Sequence, residues 1–332
     1  MKDIVNETYR HRHAAHCESG VASAMLTHHG AAVSEAMAFG LSSALSFAYL
    51  PFVKFGGFPL IAYRMPPKFI LSGMKRPFRT HFHFETFRDP AAGARRLDEL
   101  LAQGHIVGLQ TSAFWLPYFP EDMRFHFNAH NLIVYGKEGN DYLISDPVTE
   151  EPQRCAAEAL QRARFATGLM APKGLLYYPE SIGRKEITTD EVRRAIRKNA
   201  RIMLSPIPIV GVRGIRMLAK KIAALDPADK LSLNYVGHVV RMQEEIGTGG
   251  AGFRFLYAAF LQEASALPGF ASLAAYAERL IAIGDHWREF ALATARMVKK
   301  RDALDPAKLA GMLRALADEE ERFFRDLKSA VA

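Results

Sequence analysis

His16–Cys17–Glu18–Ser19–Gly20 is the stretch on which the reading of this chain turns. It sets a cysteine at the start of a helix. Val21, Ala22, Met25, Leu26 and His29 recur at helical spacing, and Gly30 supplies a C-terminal stop. A helix N-terminus offers unsatisfied N–H groups and the positive end of the helix dipole, and both lower a thiol's pKa. The same N–H groups, that of Cys17 included, can stabilise an oxyanion. An imidazolium beside the sulfur would lower the pKa further.

That second device must come through space. Downstream, Ala129–His130–Asn131–Leu132–Ile133–Val134–Tyr135 and Tyr142–Leu143–Ile144–Ser145–Asp146–Pro147 read as two strands of a hairpin. Pairing Tyr135 with Asp141 around Gly136–Asn140 predicts that His130 lies opposite Asp146. Directly opposite side chains share a face at about 5 Å between Cβ atoms. A carboxylate would then orient an imidazole, and the imidazole would serve Cys17. The bland readings are a buried apolar cysteine, a strand-end histidine and a turn-forming Asp–Pro. Each residue alone is weak; the three in this order favour a Cys17–His130–Asp146 system. Cys155 has neither a helix start nor a histidine beside it and keeps the bland reading. His81, His83 and His126 are the rival metal ligands. No acidic or cysteine ligand stands at a suggestive spacing from them, so no metal site is expected.

The chain has 332 residues, 49% hydrophobic and 23% charged, which is globular composition with room for two domains. Two cysteines cannot build a disulfide framework, and the N-terminus has no apolar secretory core, so a reduced, cytoplasmic protein is expected. Residues 36–53 carry no formal charge and are just long enough to span a bilayer. Their three serines, Gly40 and Pro51 favour a buried amphipathic helix instead, so no integral membrane span is expected. The net charge of +8 suits an acidic partner protein or a phosphate-bearing substrate. No nucleic-acid-binding signature is present.

Ser34 caps a second helix, running to Pro51, with Met37, Leu41, Leu45 and Ala48 as its apolar stripe. It carries both Glu35 and Tyr49. Glu35 could bind a substrate ammonium, or simply favour the helix dipole. Asp89–Pro90 starts another helix, a strand follows at 106–110, and Phe114–Trp115–Leu116–Pro117–Tyr118 forms an aromatic loop that could act as a lid. From about Ser181 almost everything reads as helix, over 215–224, 231–245, 253–264, 273–283, 286–299 and 307–328. The expected fold is therefore α+β, a mixed domain over 1–180 followed by an all-α domain over 181–332. Gly247–Thr248–Gly249–Gly250 ahead of Arg254 could receive a phosphate. No Lys–Ser/Thr of a nucleotide loop follows, so a flexible connection is the preferred reading.

These residues resemble a known family. His16–Cys17–Glu18, Val33–Ser34–Glu35–Ala36–Met37–Ala38–Phe39–Gly40–Leu41, Phe47–Ala48–Tyr49, Leu116–Pro117–Tyr118, His130 and Asp146–Pro147 resemble the N-terminal domain of butirosin biosynthesis protein H. Ile246–Gly247–Thr248–Gly249–Gly250 and Leu256–Tyr257–Ala258–Ala259–Phe260–Leu261–Gln262–Glu263–Ala264 resemble the helical domain that accompanies it. The resemblance implies a papain-like cysteine-protease fold. It also implies acyl transfer from the phosphopantetheine thioester of an acidic acyl carrier protein to a small-molecule or lipid amine. Phosphopantetheine would arrive on that carrier, so no bound cofactor is expected. Cys17, His130 and Asp146 match the family's nucleophile, base and acid. Glu35, Tyr49, Tyr118 and Arg254 are candidate substrate contacts. Papain-like enzymes place an oxyanion-hole glutamine shortly before the cysteine; this chain has His11 there, which joins the Cys17 N–H as a candidate. The alternative activity is a cysteine peptidase, amidase or thioesterase with water as acceptor, and the non-enzyme alternative is a binding protein with a dead papain-like fold.

Overall fold

A computed structural model describes residues 3–246 and 250–331. The helices are α1 (Cys17–His28), α2 (Glu35–Leu41), α3 (Phe69–Gly73), α4 (Pro90–Ala102), α5 (Ala157–Arg164), α6 (Thr189–Met203), α7 (Gly211–Ala223), α8 (Lys230–Glu244), α9 (Arg254–Ala264), α10 (Leu273–Val298) and α11 (Pro306–Ala330). The strands are β1 (Ile4–Val5), β2 (Leu45–Phe55), β3 (Phe58–Arg64), β4 (Thr80–Glu85), β5 (Val107–Thr111), β6 (His130–Glu138), β7 (Asp141–Ser145), β8 (Gln153–Ala156) and β9 (Leu176–Ile182). The architecture is α+β. The chain forms two compact units, Met1–Ala38 with Ile70–Ile187, and Phe39–Phe69 with Thr188–Ala332. Phe39–Phe69, assigned by the sequence reading to the first domain, thus belongs with the helices.

The first unit is built on an antiparallel sheet in the order β4-β9-β5-β6-β7-β8, with β1 added beside β6. Strand β6 is central, and its run from His130 to Val134 is buried throughout, as expected for a strand covered on both faces. Leu97, Leu100 and Leu101 of α4 and Leu160 of α5 join Leu109, Leu132 and Val134 in one core. Helix α1 packs against β6 and β9. It is buried from Cys17 to Leu26, all the way round, which requires the small side chains it carries.

The hairpin register differs from the expected one. Its turn is the two residues Gly139–Asn140 between paired Glu138 and Asp141, with Gly139 at φ 55°. A bulge at Tyr135 shifts the pairing, so that Ile133 meets Ser145 and Val134 meets Ile144. Next to His130 the slip is two residues, and an even slip leaves side chains on the face they had. His130 itself opens β6 opposite Thr111.

In the second unit the stretch read as one helix from Ser34 to Pro51 breaks. Helix α2 ends at Leu41, Ser43 takes φ 60°, and Leu45–Phe55 is a strand paired with β3 across Gly56–Gly57. Both glycines have positive φ, 59° and 85°, as tight hairpin turns demand. Helix α10 is continuous where two helices were expected. Gly284 within it does not break it, but makes room for Phe255, whose ring a Cβ would meet at 2.6 Å. No helix among the described residues is long and apolar enough to cross a membrane.

Candidate active site

Cys17 is the first residue of α1 and 3% exposed. It is held there from three sides, all within the first unit. The backbone N–H groups of Ala15 and His16 donate to the two carboxylate oxygens of Glu35, at 2.8 and 2.7 Å. Glu18, fully buried, accepts from the N–H of Ile70 at 2.9 Å and so ties the first turn of α1 to α3. Gly20 lies against Pro147, where a Cβ would approach the proline Cβ to 2.6 Å. A side chain there would push α1 off the Asp146–Pro147 corner.

That corner brings the expected partners together. His130 Nε2 meets Asp146 Oδ2 at 2.6 Å, with His130 5% exposed and Asp146 fully buried. The other side of the ring hydrogen-bonds Cys17; with Nε2 committed to Asp146, the nitrogen at the sulfur is Nδ1. Asp146 is held in turn. The Tyr118 hydroxyl donates to its Oδ2 at 2.8 Å, and the Val148 N–H donates to its Oδ1 at 3.2 Å. The Phe119 ring stands edge-on to His130, 5.3 Å between centroids, and shields that imidazole from water.

The electrostatics follow from this geometry. Burial alone would raise the Cys17 thiol, but the imidazoles of His16 and His130 override it and hold the thiol well below its ordinary value. Burial alone would depress His130, yet the Asp146 carboxylate and the sulfur hold it up at about 10. The two shifts favour the thiolate–imidazolium form of the pair. Cys155, also buried, is pushed up to about 12 by burial and stays a thiol. The Cys17 N–H, first in α1, has no acceptor within the helix and is available for an oxyanion.

Several expected site residues have other employment. His11 is no oxyanion donor: its Nδ1 contacts Ser145 Oγ at 2.8 Å and its Nε2 the Thr149 and Glu150 carbonyls at 3.0 and 3.2 Å, so both ring nitrogens are spent. Glu35 does not present a free carboxylate to a substrate ammonium, since its oxygens serve the Ala15 and His16 amides and the Ser19 hydroxyl. Tyr118 faces Asp146 rather than a ligand. Tyr49 is on strand β2 of the other unit, not on a helix with Glu35, and accepts from the Tyr235 hydroxyl at 3.3 Å.

Arg254 is fully buried in a bidentate pair with Glu320, at 2.8 and 3.0 Å, and donates to the Gly252 carbonyl at 2.7 Å. Its guanidinium lies 4.9 Å from the Trp287 ring, so it is not placed to receive a phosphate. Gly247, Thr248 and Gly249 lie outside the described residues. His81 and His83 both contact Glu180, and His126 stacks on Phe114 at 4.1 Å. Among the described residues no three of His, Cys, Asp or Glu gather as metal ligands.

Residues 158–327, just over half of the chain, match the family described as "Domain of unknown function (DUF4872)", and residues 16–147 match "Butirosin biosynthesis protein H, N-terminal". The chain belongs to the DUF4872 family and carries a butirosin biosynthesis protein H-type N-terminal region. That region begins at His16 and ends at Pro147, one residue before the cysteine and one after the aspartate. Cysteine on a helix start, with histidine and carboxylate from an antiparallel sheet, is the papain-like cysteine-enzyme arrangement. A solved C39-like peptidase structure from Bacillus anthracis is 14% identical to this chain. Its match covers 55% of this chain and all of that one, with a TM-score of 0.39. No curated protein matches the chain.

The residues that sequence reasoning missed are Ser19, Gly20 and Phe119, together with the positioning roles of Glu35 and Tyr118. Ser–Gly inside the first turn of a helix was the available signal. Both are poor choices for a helix interior and point to close packing or a side-chain bond.

Proposed function

We propose that this protein is an acyltransferase that takes an acyl group from the phosphopantetheine thioester of an acyl carrier protein onto Cys17 and passes it to an amine. The observation that carries this reading is the buried Cys17–His130–Asp146 contact chain within a butirosin biosynthesis protein H-type region. The thiolate attacks the thioester carbonyl, the carbonyl oxygen is met by helix N–H groups, and the pantetheine sulfur leaves as a thiol with the proton of the His130 imidazolium. The amine then attacks the Cys17 thioester, its proton passes to His130, and the amide departs as the electron pair returns to the sulfur. His130 is the counter-ion that keeps the sulfur ionised, and Asp146 with Tyr118 fixes that ring. Water competes with the amine for the acyl-enzyme, which suits a sulfur 3% exposed and a Phe119 ring over His130. The charge of +8 favours association with an acidic carrier.

Incubation with S-acyl pantetheines and a panel of primary amines tests the proposal. The expected result is an acyl adduct on Cys17 by intact mass, discharged as an amide when amine is added. Free acid as the sole product, at a rate indifferent to amine, would make the protein a thioesterase or amidase instead.

A further inference from the structure

The net charge of +8 is concentrated in one place. Helices α6 and α7, from Thr189 to Ala223, hold nine of the 43 Lys and Arg and two of the 35 Asp and Glu, so +7 of the +8 lies in that stretch. On α6, Val192, Ala195, Ile196, Asn199 and Met203 are buried on one face. Arg194, Lys198 and Arg201 lie exposed along the other, at helical spacing. Arg213, Lys220 and Lys221 are exposed on α7. None of these six cations has a carboxylate partner among the described residues. Asp190 pairs with Arg193 instead, and Asp318 and Glu321 of α11 both take Arg216. A merely solvated face is built differently. Elsewhere in this unit exposed cations stand four residues from an acid, Arg241 from Glu245 and Arg325 from Glu321. On α6 the residues at that spacing carry like charges, Arg194 with Lys198 and Arg197 with Arg201, which opposes helix formation. Arg213 stands in the first turn of α7, which has no acid and where the helix dipole disfavours a cation. Helix stability explains neither placement; an acidic partner would offset both.

The loop joining the two helices supplies an apolar centre. Ile207, between Pro206 and Pro208, is 52% exposed. Arg213 Nη1 donates to the Pro206 carbonyl at 2.9 Å, which holds that cation beside the isoleucine. An apolar contact rimmed by charge is the make-up of a protein interface. No Phe, Tyr or Trp occurs from Thr189 to Ala223. The surface therefore lacks the rings that stack on nucleic-acid bases or seat a helix in a membrane interface. We propose that α6, α7 and the loop between them are the docking surface for the acidic acyl carrier protein; this rests on the reading of the donor as a carrier-borne thioester. The six cations meet its carboxylates and steer the encounter, and Ile207 meets an apolar side chain at the centre.

Charge removal on the full chain tests this. One variant carries Arg194→Gln, Lys198→Gln and Arg201→Gln, a second Arg213→Gln and Lys220→Gln, and a third Ile207→Ser. All of these positions are exposed, so the melting midpoint is expected to change little. Acetyl transfer to a primary amine is compared between two donors, an acidic acyl carrier protein bearing acetyl-phosphopantetheine and free S-acetyl pantetheine. With the carrier, kcat/KM is expected to fall about 10-fold or more in each charge variant at low salt, the scale of electrostatic steering. The difference from the parent should close as salt screens the charges. Ile207→Ser should cost the carrier about 10-fold, the worth of a buried aliphatic side chain, at any salt concentration. Free S-acetyl pantetheine should change by less than about 2-fold in all three, since it makes no use of a docking face. The loss is expected in KM with kcat kept; a fall in kcat alone would overturn the assignment. If the variants spare the carrier, or slow both donors equally, the docking surface is wrong and the donor class stands. If the unaltered protein uses free S-acetyl pantetheine but not the carrier, the occupant is wrong and the acyl-enzyme chemistry stands. Transfer from neither donor removes the thioester reading itself, and the carrier with it. Binding to phosphatidylserine vesicles or to RNA that the variants lose, with carrier kinetics intact, would give the face to that partner instead.

Discussion

Alanine in place of Cys17 is expected to abolish acyl transfer, by at least about 10⁴-fold, as loss of a covalent nucleophile does, while the thermal unfolding midpoint changes little. The change removes one sulfur from a buried site, which costs about 1 kcal/mol. The His130–Asp146 pair at 2.6 Å does not need the sulfur to persist. Transfer kinetics and a melting curve on the same sample therefore separate chemistry from folding. Retention of transfer would exclude an acyl-enzyme on Cys17. Loss of transfer together with collapse of the melting curve would make the sulfur a packing element.

The second large effect is on stability. Arg254 and Glu320 are both fully buried, and Trp287 Nε1–H also donates to Glu320 Oε1 at 2.7 Å. Replacing Arg254 with methionine takes the guanidinium from the Trp287 and Tyr63 rings and leaves the buried Glu320 carboxylate without its cation, and is expected to cost about 3–5 kcal/mol. That corresponds to a fall in midpoint on the order of 10 °C for a unit of this size. The double replacement Arg254→Met, Glu320→Leu should recover most of the loss. The only new cost is the orphaned Trp287 N–H, worth about 1–3 kcal/mol. Chemical denaturation of the three variants checks the ordering. A single variant as stable as the parent would show the pair to be dispensable, and a double variant worse than the single would show that Glu320 does not need Arg254.

The parts legible in the sequence were those with a local signature. Helix α1 was readable from its period and its stop, and α4 from Asp89, which caps it, and Pro90 at its first position. Cys17, His130 and Asp146 could be drawn together because a hairpin brings distant residues together by register. The register itself was wrong because the shorter turn at Gly139–Asn140 shifted it by three residues and the bulge at Tyr135 took one back. The contact survived because the slip next to His130 was even. Residues 45–49 fit two periods at once. Leu45 and Ala48 continue a helical stripe, while Leu45, Phe47 and Tyr49 alternate as a strand; the break at Ser43 decided for the strand. Arg254 and Glu35 were misread for one shared reason. A charged side chain near a candidate site looks like a ligand contact until its through-space partner is known, and Glu320 stands far along the chain from Arg254.

The account rests on a sulfur that is ionised at neutral pH, with His16 and His130 beside it and Asp146 and Glu35 behind them. The rate of Cys17 alkylation by iodoacetamide, followed by mass across pH, tests this most directly. Cys17's pKa lies below its ordinary value, so the thiolate is present above that lowered pKa and lost only as pH falls through it. Its imidazolium partner persists until pH rises through about 10. The predicted profile is flat through neutrality and falls only on the acid side, with Cys155 unmodified in the folded protein. A Cys17 rate that climbs about tenfold per pH unit up to the ordinary thiol range near 8.5 would contradict it.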